Sequence, residues 1–151
     1  DLSKKITFNL IYGGITDDVR DNVPFMARIA DFVDETWNFY KQTGYVETWF
    51  YKRKLKSSIF DDKTNSYKVF NYLLQSAETE RNCLILKNIF EYLNNKTMQC
   101  VLYTYDAFLF DIPKNEFSLV SELKKTMDPN GDFPIRTYVG ANYGDLREVS
   151  V

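Results

Sequence analysis

Apolar residues follow two spacings along this chain, and the switches between them set out its elements. The opening block, Asp1 to Gly14, reads as one helix stopped by Gly13-Gly14. From Asp17 to Gln42, Phe25, Ile29, Phe32, Val33, Trp37 and Tyr40 recur at helical spacing with acids and Arg between them. Pro24 suits the first turn of the main helix there, and Gly44 ends it. The longest helical signal covers Tyr67 to Asn94, with a broad apolar band from Val69 to Leu93. Glu116 to Met127 predicts a short amphipathic helix. Between these, the pattern becomes strand-like. Tyr45 to Phe60 starts that way, Phe133 to Val139 predicts a final strand, and two runs rich in aromatic and branched residues, Cys100–Tyr103 and Phe108–Ile112, meet at Thr104–Ala107 as a hairpin or a strand, bend and strand. Asp61–Ser66 and Asp128–Gly131 read as a polar loop and a turn. The predicted class is α+β.

At 151 residues the chain is long enough for one domain with a real core. Its 44% hydrophobic and 17% aromatic content excludes a disordered chain. No apolar run approaches the roughly 20 residues of a membrane span, so no membrane partner is expected; the setting is read as the cytoplasm of a bacterial or phage-infected cell, with an organelle as the alternative. The net charge of −2 means that any nucleic-acid contact must come from a local patch. The sequence has no histidine, which removes Ser-His-Asp and Cys-His catalysis and histidine-containing zinc sites. Cys83 and Cys100 have no CxxC spacing and read as buried thiols in a reducing compartment. The remaining chemistry is carboxylate plus metal, helped by Lys, Arg, Tyr and amides.

Four constellations carry that chemistry. Lys4, Phe8 and Tyr12 recur every fourth residue, so a helix sets them on one face spanning about 12 Å, enough to lie along a bound nucleotide. Ile6, Leu10 and Ile11 would hold the other face to a body. Lys52, Arg53, Lys54 and Lys56 follow Trp49, Phe50 and Tyr51 with no acid between Glu47 and Asp61, a candidate phosphate-binding run. Asn71 and Gln75 present two carboxamides on one helical face, suited to minor-groove acceptors that vary little with sequence. Asp106 stands alone at the hairpin tip, where a carboxylate can hold Mg²⁺, an ion that takes one or two carboxylates plus substrate phosphates.

In this order the segments resemble the C-terminal part of family A DNA polymerases, the bacterial polymerase I type. Lys4, Phe8, Tyr12 and Gly13 match the family's fingers helix, whose leading Arg would fall before Asp1. Gly44-Tyr-Val-Glu-Thr48 matches a stretch found in many members, although Tyr51-Lys52-Arg53 replaces the usual Gly-Arg-Arg turn. Asn71 and Gln75 match the family's Asn-three-residues-Gln helix. Tyr105-Asp106 falls on its His-Asp pair, with Ala107 where a second acid is common and Asp111 where a later one is usual. Val139-Gly140 and Asn142-Tyr143 resemble its closing Val-Gly and Asn-Trp.

The resemblance implies fingers helices over residues 1–43, a palm portion over 44–151, and template-directed DNA synthesis on a primer-template with dNTPs. It implies that Lys4 neutralises the triphosphate, Phe8 and Tyr12 stack on the nucleotide and beside the template base, and Arg53, Lys52 and Lys54 hold phosphates. Asn71 and Gln75 would feel the minor groove, Tyr105 the primer end, and Asp106 would bind Mg²⁺ as a catalytic ligand. Two-metal transfer in this family needs a second aspartate, which lies upstream of the fingers helix. The chain alone is therefore expected to be inactive, one piece of a split or truncated polymerase completed by an upstream segment. Two alternatives stand beside this reading: a segment of a single-subunit RNA polymerase, which usually carries a small aliphatic residue or Met where Phe8 sits, and a non-catalytic DNA-binding replication subunit, for which Ala107 and Tyr105 speak.

Overall fold

The computed structural model describes residues 2–60 and 63–150. It comprises α1 (Leu2–Gly13), α2 (Asp17–Asn22), α3 (Pro24–Thr43), β1 (Tyr45–Glu47), β2 (Lys54–Lys56), α4 (Ser66–Leu93), β3 (Gln99–Thr104), β4 (Ala107–Asp111), α5 (Val120–Met127), β5 (Thr137–Val139) and β6 (Arg147–Val149), with short 3-10 turns between some of them. The strands form three separate antiparallel pairs, β1 with β2, β3 with β4 and β5 with β6. The class is α+β, as the pattern predicts. Asp1 and the first two residues of the expected polar loop, Asp61 and Asp62, lie outside the described residues. Among the described residues no helix is long and apolar enough to cross a membrane.

The chain divides into two compact units, the first ending at Glu80 and the second beginning at Arg81. In the first, Gly44 takes the left-handed conformation that closes α3, with its N–H on the Tyr40 carbonyl at 2.8 Å. The buried stripe of α3 is Met26, Ala30, Val33 and Thr36, rather than the aromatic series read from the sequence. Small residues sit at the close approach while Phe25, Phe32 and Phe39 remain at the surface. The core joins Val46 and Leu55, cross-strand partners on β1 and β2, to Val69 and Leu73 of α4, flanked by Trp37, Tyr40 and Phe60. Edge-on ring contacts link Tyr40 to Phe60 and Phe60 to Tyr72, both at 5.3 Å between centroids.

The second unit is built on Ile89, Leu93, Met98 and Leu123, with Phe108, Phe110 and Leu119 around them. The expected hairpin forms: Thr104 pairs with Ala107 across a two-residue turn, and a bulge between Cys100 and Leu102 shifts the register. Glu116 fastens the strand entry by accepting from the N–H of Thr97 at 3.0 Å and of Met98 at 2.8 Å. The helix expected over Glu116–Met127 starts later, as a 3-10 turn leading into α5. The final strand is also shorter than predicted. Asp128 accepts from the N–H of Asp132 and Phe133, and the Phe133 ring lies 3.4 Å under the Arg81 guanidinium, which withdraws Phe133 from pairing. The partner strand β6 was not anticipated by the pattern. Cys83 is exposed and Cys100 half-buried, both as free thiols, which corrects the expectation of two buried cysteines.

The band of α4 resolves into two stripes. Val69, Leu73 and Ala77 are buried at spacings of four, and Glu80 continues them; Asn82, Ile89 and Leu93 form a second stripe. At about 100° per residue the two lie well apart around the helix, so the sequence looks apolar all round.

Candidate functional site

On α1, the spacing of four brings three candidate groups into one row. The rings of Phe8 and Tyr12 stack with centroids 5.5 Å apart and planes 8° from parallel, and Lys4 Nζ lies 5.7 Å from the Phe8 centroid. No residue of α1 is buried; Phe8 is 47% exposed and Tyr12 40%. Ile6, expected to anchor the opposite face, is itself half exposed, while Leu10 and Ile11 are partly covered. The result is an open aromatic face with a cation at one end.

The end of α1 is tied to the start of α4. Gly14, at φ +117°, lies against the Tyr67 ring, and the Tyr67 hydroxyl accepts from the Ile15 N–H at 2.8 Å. The Asn71 amide donates to the Tyr12 carbonyl at 3.5 Å, so two of the predicted site residues meet. Its Oδ1 is buried and has no hydrogen-bond partner among the described residues. Gln75, one turn further on, is exposed.

The basic run starts on the loop between β1 and β2, with Lys52 and Arg53, and continues onto β2, with Lys54 and Lys56, and the loop's shape comes from a residue the sequence reading missed. Glu80 is 2% exposed. Its Oε2 accepts from the N–H of Phe50 at 3.2 Å and of Tyr51 at 3.1 Å, and its Oε1 from Arg53 Nε at 3.0 Å. Thr48, fully buried, accepts from the Arg53 N–H at 2.9 Å. Burial by itself pushes the Glu80 carboxyl up, but hydrogen bonds from Thr48, Tyr51, Arg53 and Phe50 outweigh it and hold the group below the ordinary carboxylate range. Arg53 is thus bound to Glu80 through Nε while its side chain stays 58% exposed. Lys54 lies over the Tyr45 ring at 4.3 Å, and Lys52 takes φ +54°.

In the second unit, Tyr105 and Asp106 form the hairpin turn. Tyr105 has φ +55°, costly for a bulky residue, and is 85% exposed. Its carbonyl accepts from Asn82 Nδ2 at 3.1 Å, and Asn82 is buried. Asp106 is exposed beside it, whereas Asp111 ends the far side of β4, opposite Gln99. Among the described residues no three carboxylates or thiols gather as metal ligands. Asp106 thus offers one carboxylate, and a Mg²⁺ ion held through it would need substrate phosphates and a further carboxylate to complete its shell.

The polymerase domain of Pol1 from M. smegmatis, solved in complex with DNA primer-template and dNTP, matches this chain with a TM-score of 0.60 and 14% identity. The match covers 87% of this chain and 27% of the polymerase chain. The likeness is one of fold. No protein-family model and no curated protein matches the sequence. The chain therefore has a polymerase-like α+β fold spanning about a quarter of the length of the polymerase it matches.

Both missed positions of this polymerase-like fold had a signal. Glu80 falls where the Val69, Leu73, Ala77 spacing calls for an apolar residue, and Asn82 shares the stripe of Ile89 and Leu93. A polar group on a buried stripe needs a partner, and each has one in a loop that carries candidate site residues.

Proposed function

We propose that this chain is the fingers and palm portion, residues 1–43 and 44–151, of a family A template-directed DNA polymerase. The observation that carries the reading is the row on α1: two exposed, stacked rings with a lysine at their end, on a fold similar to part of a polymerase domain. Phe8 and Tyr12 offer a face for the incoming nucleotide, because base–aromatic stacking is worth roughly 1–3 kcal/mol per base. Lys4 supplies a point charge for the triphosphate. Asn71 and Gln75 lie along the primer-template, and Lys52, Arg53 and Lys54 hold phosphates. Tyr105 meets the primer end.

Asp106 is the cation ligand of this reading, with the second carboxylate supplied by an upstream polymerase segment. Two bound Mg²⁺ ions would stabilise the attacking and leaving oxygens of nucleotidyl transfer. Asp106, exposed on a turn that Asn82 fixes, offers one carboxylate to such a pair. Ala107 and Tyr105 set the rival: a DNA-binding subunit without catalysis.

Primer extension with Mg²⁺ and dNTPs separates the two. The chain alone is expected to be inactive, the mixture with the upstream segment active, and Asp106→Ala to lower extension by orders of magnitude with DNA binding retained. Extension by the chain alone would refute the requirement for a second segment. An inactive mixture that still binds primer-template would favour the non-catalytic subunit, and preference for rNTPs would favour an RNA polymerase.

A further inference from the structure

Three consecutive large aromatics, Trp49, Phe50 and Tyr51, stand on the loop between β1 and β2 with 42%, 46% and 48% of their surface exposed. Water penalises such exposure, and a free loop would fold these rings onto the protein. Trp49 leans on Phe32, 6.1 Å between ring centroids, and the loop backbone is fastened in place. The N–H groups of Phe50 and Tyr51 are fastened to the buried Glu80 carboxylate, whose other oxygen takes Arg53 Nε. The Thr48 N–H donates to the Arg53 carbonyl at 2.9 Å and the Arg53 N–H to the Thr48 hydroxyl at 2.9 Å, closing the loop at its base. A buried charge is thus spent on keeping a strip of rings at the surface, beside Lys52, Arg53, Lys54 and Lys56.

We propose that this loop is a docking platform for single-stranded nucleic acid, with Glu80 as its positioning residue. Unpaired bases expose their faces for stacking on rings, and a duplex does not. The lysines and Arg53 match the sugar-phosphate chain in charge, and three exposed rings gathered on one turn offer faces to more than one base. In the polymerase reading, on which the setting of this inference rests, the strand would be the unpaired template.

The test is fluorescence anisotropy of a labelled oligo-dT of about twelve nucleotides, in the sequence-tolerant site-size range of such proteins, against the whole chain, with a duplex of equal length as comparison. The oligonucleotide is expected to bind more tightly than the duplex and to quench Trp49. Trp49→Ala and Tyr51→Ala should each weaken it about 5- to 160-fold. Lys52→Ala should reduce the salt slope by about 0.7, the single-strand increment per phosphate. Glu80→Gln, checked for fold by circular dichroism, should weaken the single strand and leave duplex binding unchanged. The proposal is overturned if the ring variants bind oligo-dT like the parent, or if the ring substitutions weaken the duplex as much as the single strand. Because this assay needs no extension, single-strand binding with an inactive mixture would sink the polymerase reading alone. Active extension with no ring dependence would sink the platform alone.

Discussion

Replacing Glu80 tests the construction of the first unit most directly. Glu80→Ala removes the acceptor for the Phe50 and Tyr51 N–H groups and for Arg53 Nε, and leaves a void at a position 2% exposed. A hydrogen bond to a charged group contributes about 1.5–3 kcal/mol, and the released donors regain part of that from water because the loop lies at the surface. The expected loss is about 3 kcal/mol for Glu80→Ala and about half that for Glu80→Gln, which keeps the shape. Arg53→Ala should cost no more than about 1 kcal/mol, since its guanidinium is mostly in water. For a chain of this size about 3 kcal/mol lowers Tm by roughly 6–12 °C. Urea unfolding followed by tryptophan fluorescence and circular dichroism measures each value. The pH dependence has a definite sign. The Glu80 carboxyl sits below its ordinary value of 4.5, so its contribution is complete above that pH and is lost as pH falls through the lower folded value. Glu80→Gln should flatten this part of the acid limb. A loss under about 1 kcal/mol for Glu80→Ala, or an unchanged acid limb in Glu80→Gln, would refute the assignment of Glu80 as the loop's anchor.

Gly140→Ala should destabilise by about 1–3 kcal/mol, the overpacking range, because a Cβ there would stand 2.6 Å from the Asp145 carbonyl oxygen; a neutral result in urea unfolding would mean the β5–β6 loop gives way freely. Tyr105→Asn should stabilise by about 0.5–1 kcal/mol, since Asn tolerates φ +55° and the exposed ring packs on nothing that would be lost; a lower Tm would show that the Tyr ring stabilises the turn. Glu116→Gln should also weaken the acid limb, because the N–H and hydroxyl of Thr97 and the N–H of Met98 hold that carboxyl low; stability at pH 3 relative to pH 7 checks it.

Elements set by local patterns were legible in the sequence. The left-handed Gly44, the length of α4 and the hairpin around Asp106 follow from patterns that local physics sets. The aromatic row of α1 was legible too, because every fourth residue of a helix shares a face whatever packs against it. Tertiary choices were hidden. The chain does not declare that α3 buries Ala30 and Thr36 while Phe25 faces water, nor that Phe133 covers Arg81 instead of joining a strand. Of the site, residue identities could be read but not their supports. Glu80 and Asn82 each act on a loop 23 or more residues away, a separation that no periodicity encodes.

The Glu80 carboxylate also sets a clock for the loop it holds. Amides on a surface turn between short strands ordinarily exchange with solvent deuterium almost as fast as in a peptide. Those of Phe50 and Tyr51 end instead on a group sealed against the core stripe of α4, so releasing them requires α4 and the strand pair to part. Their exchange should therefore keep time with the opening of the whole first unit. Two slow amides inside a wet, aromatic turn would report on the life of the core beneath it.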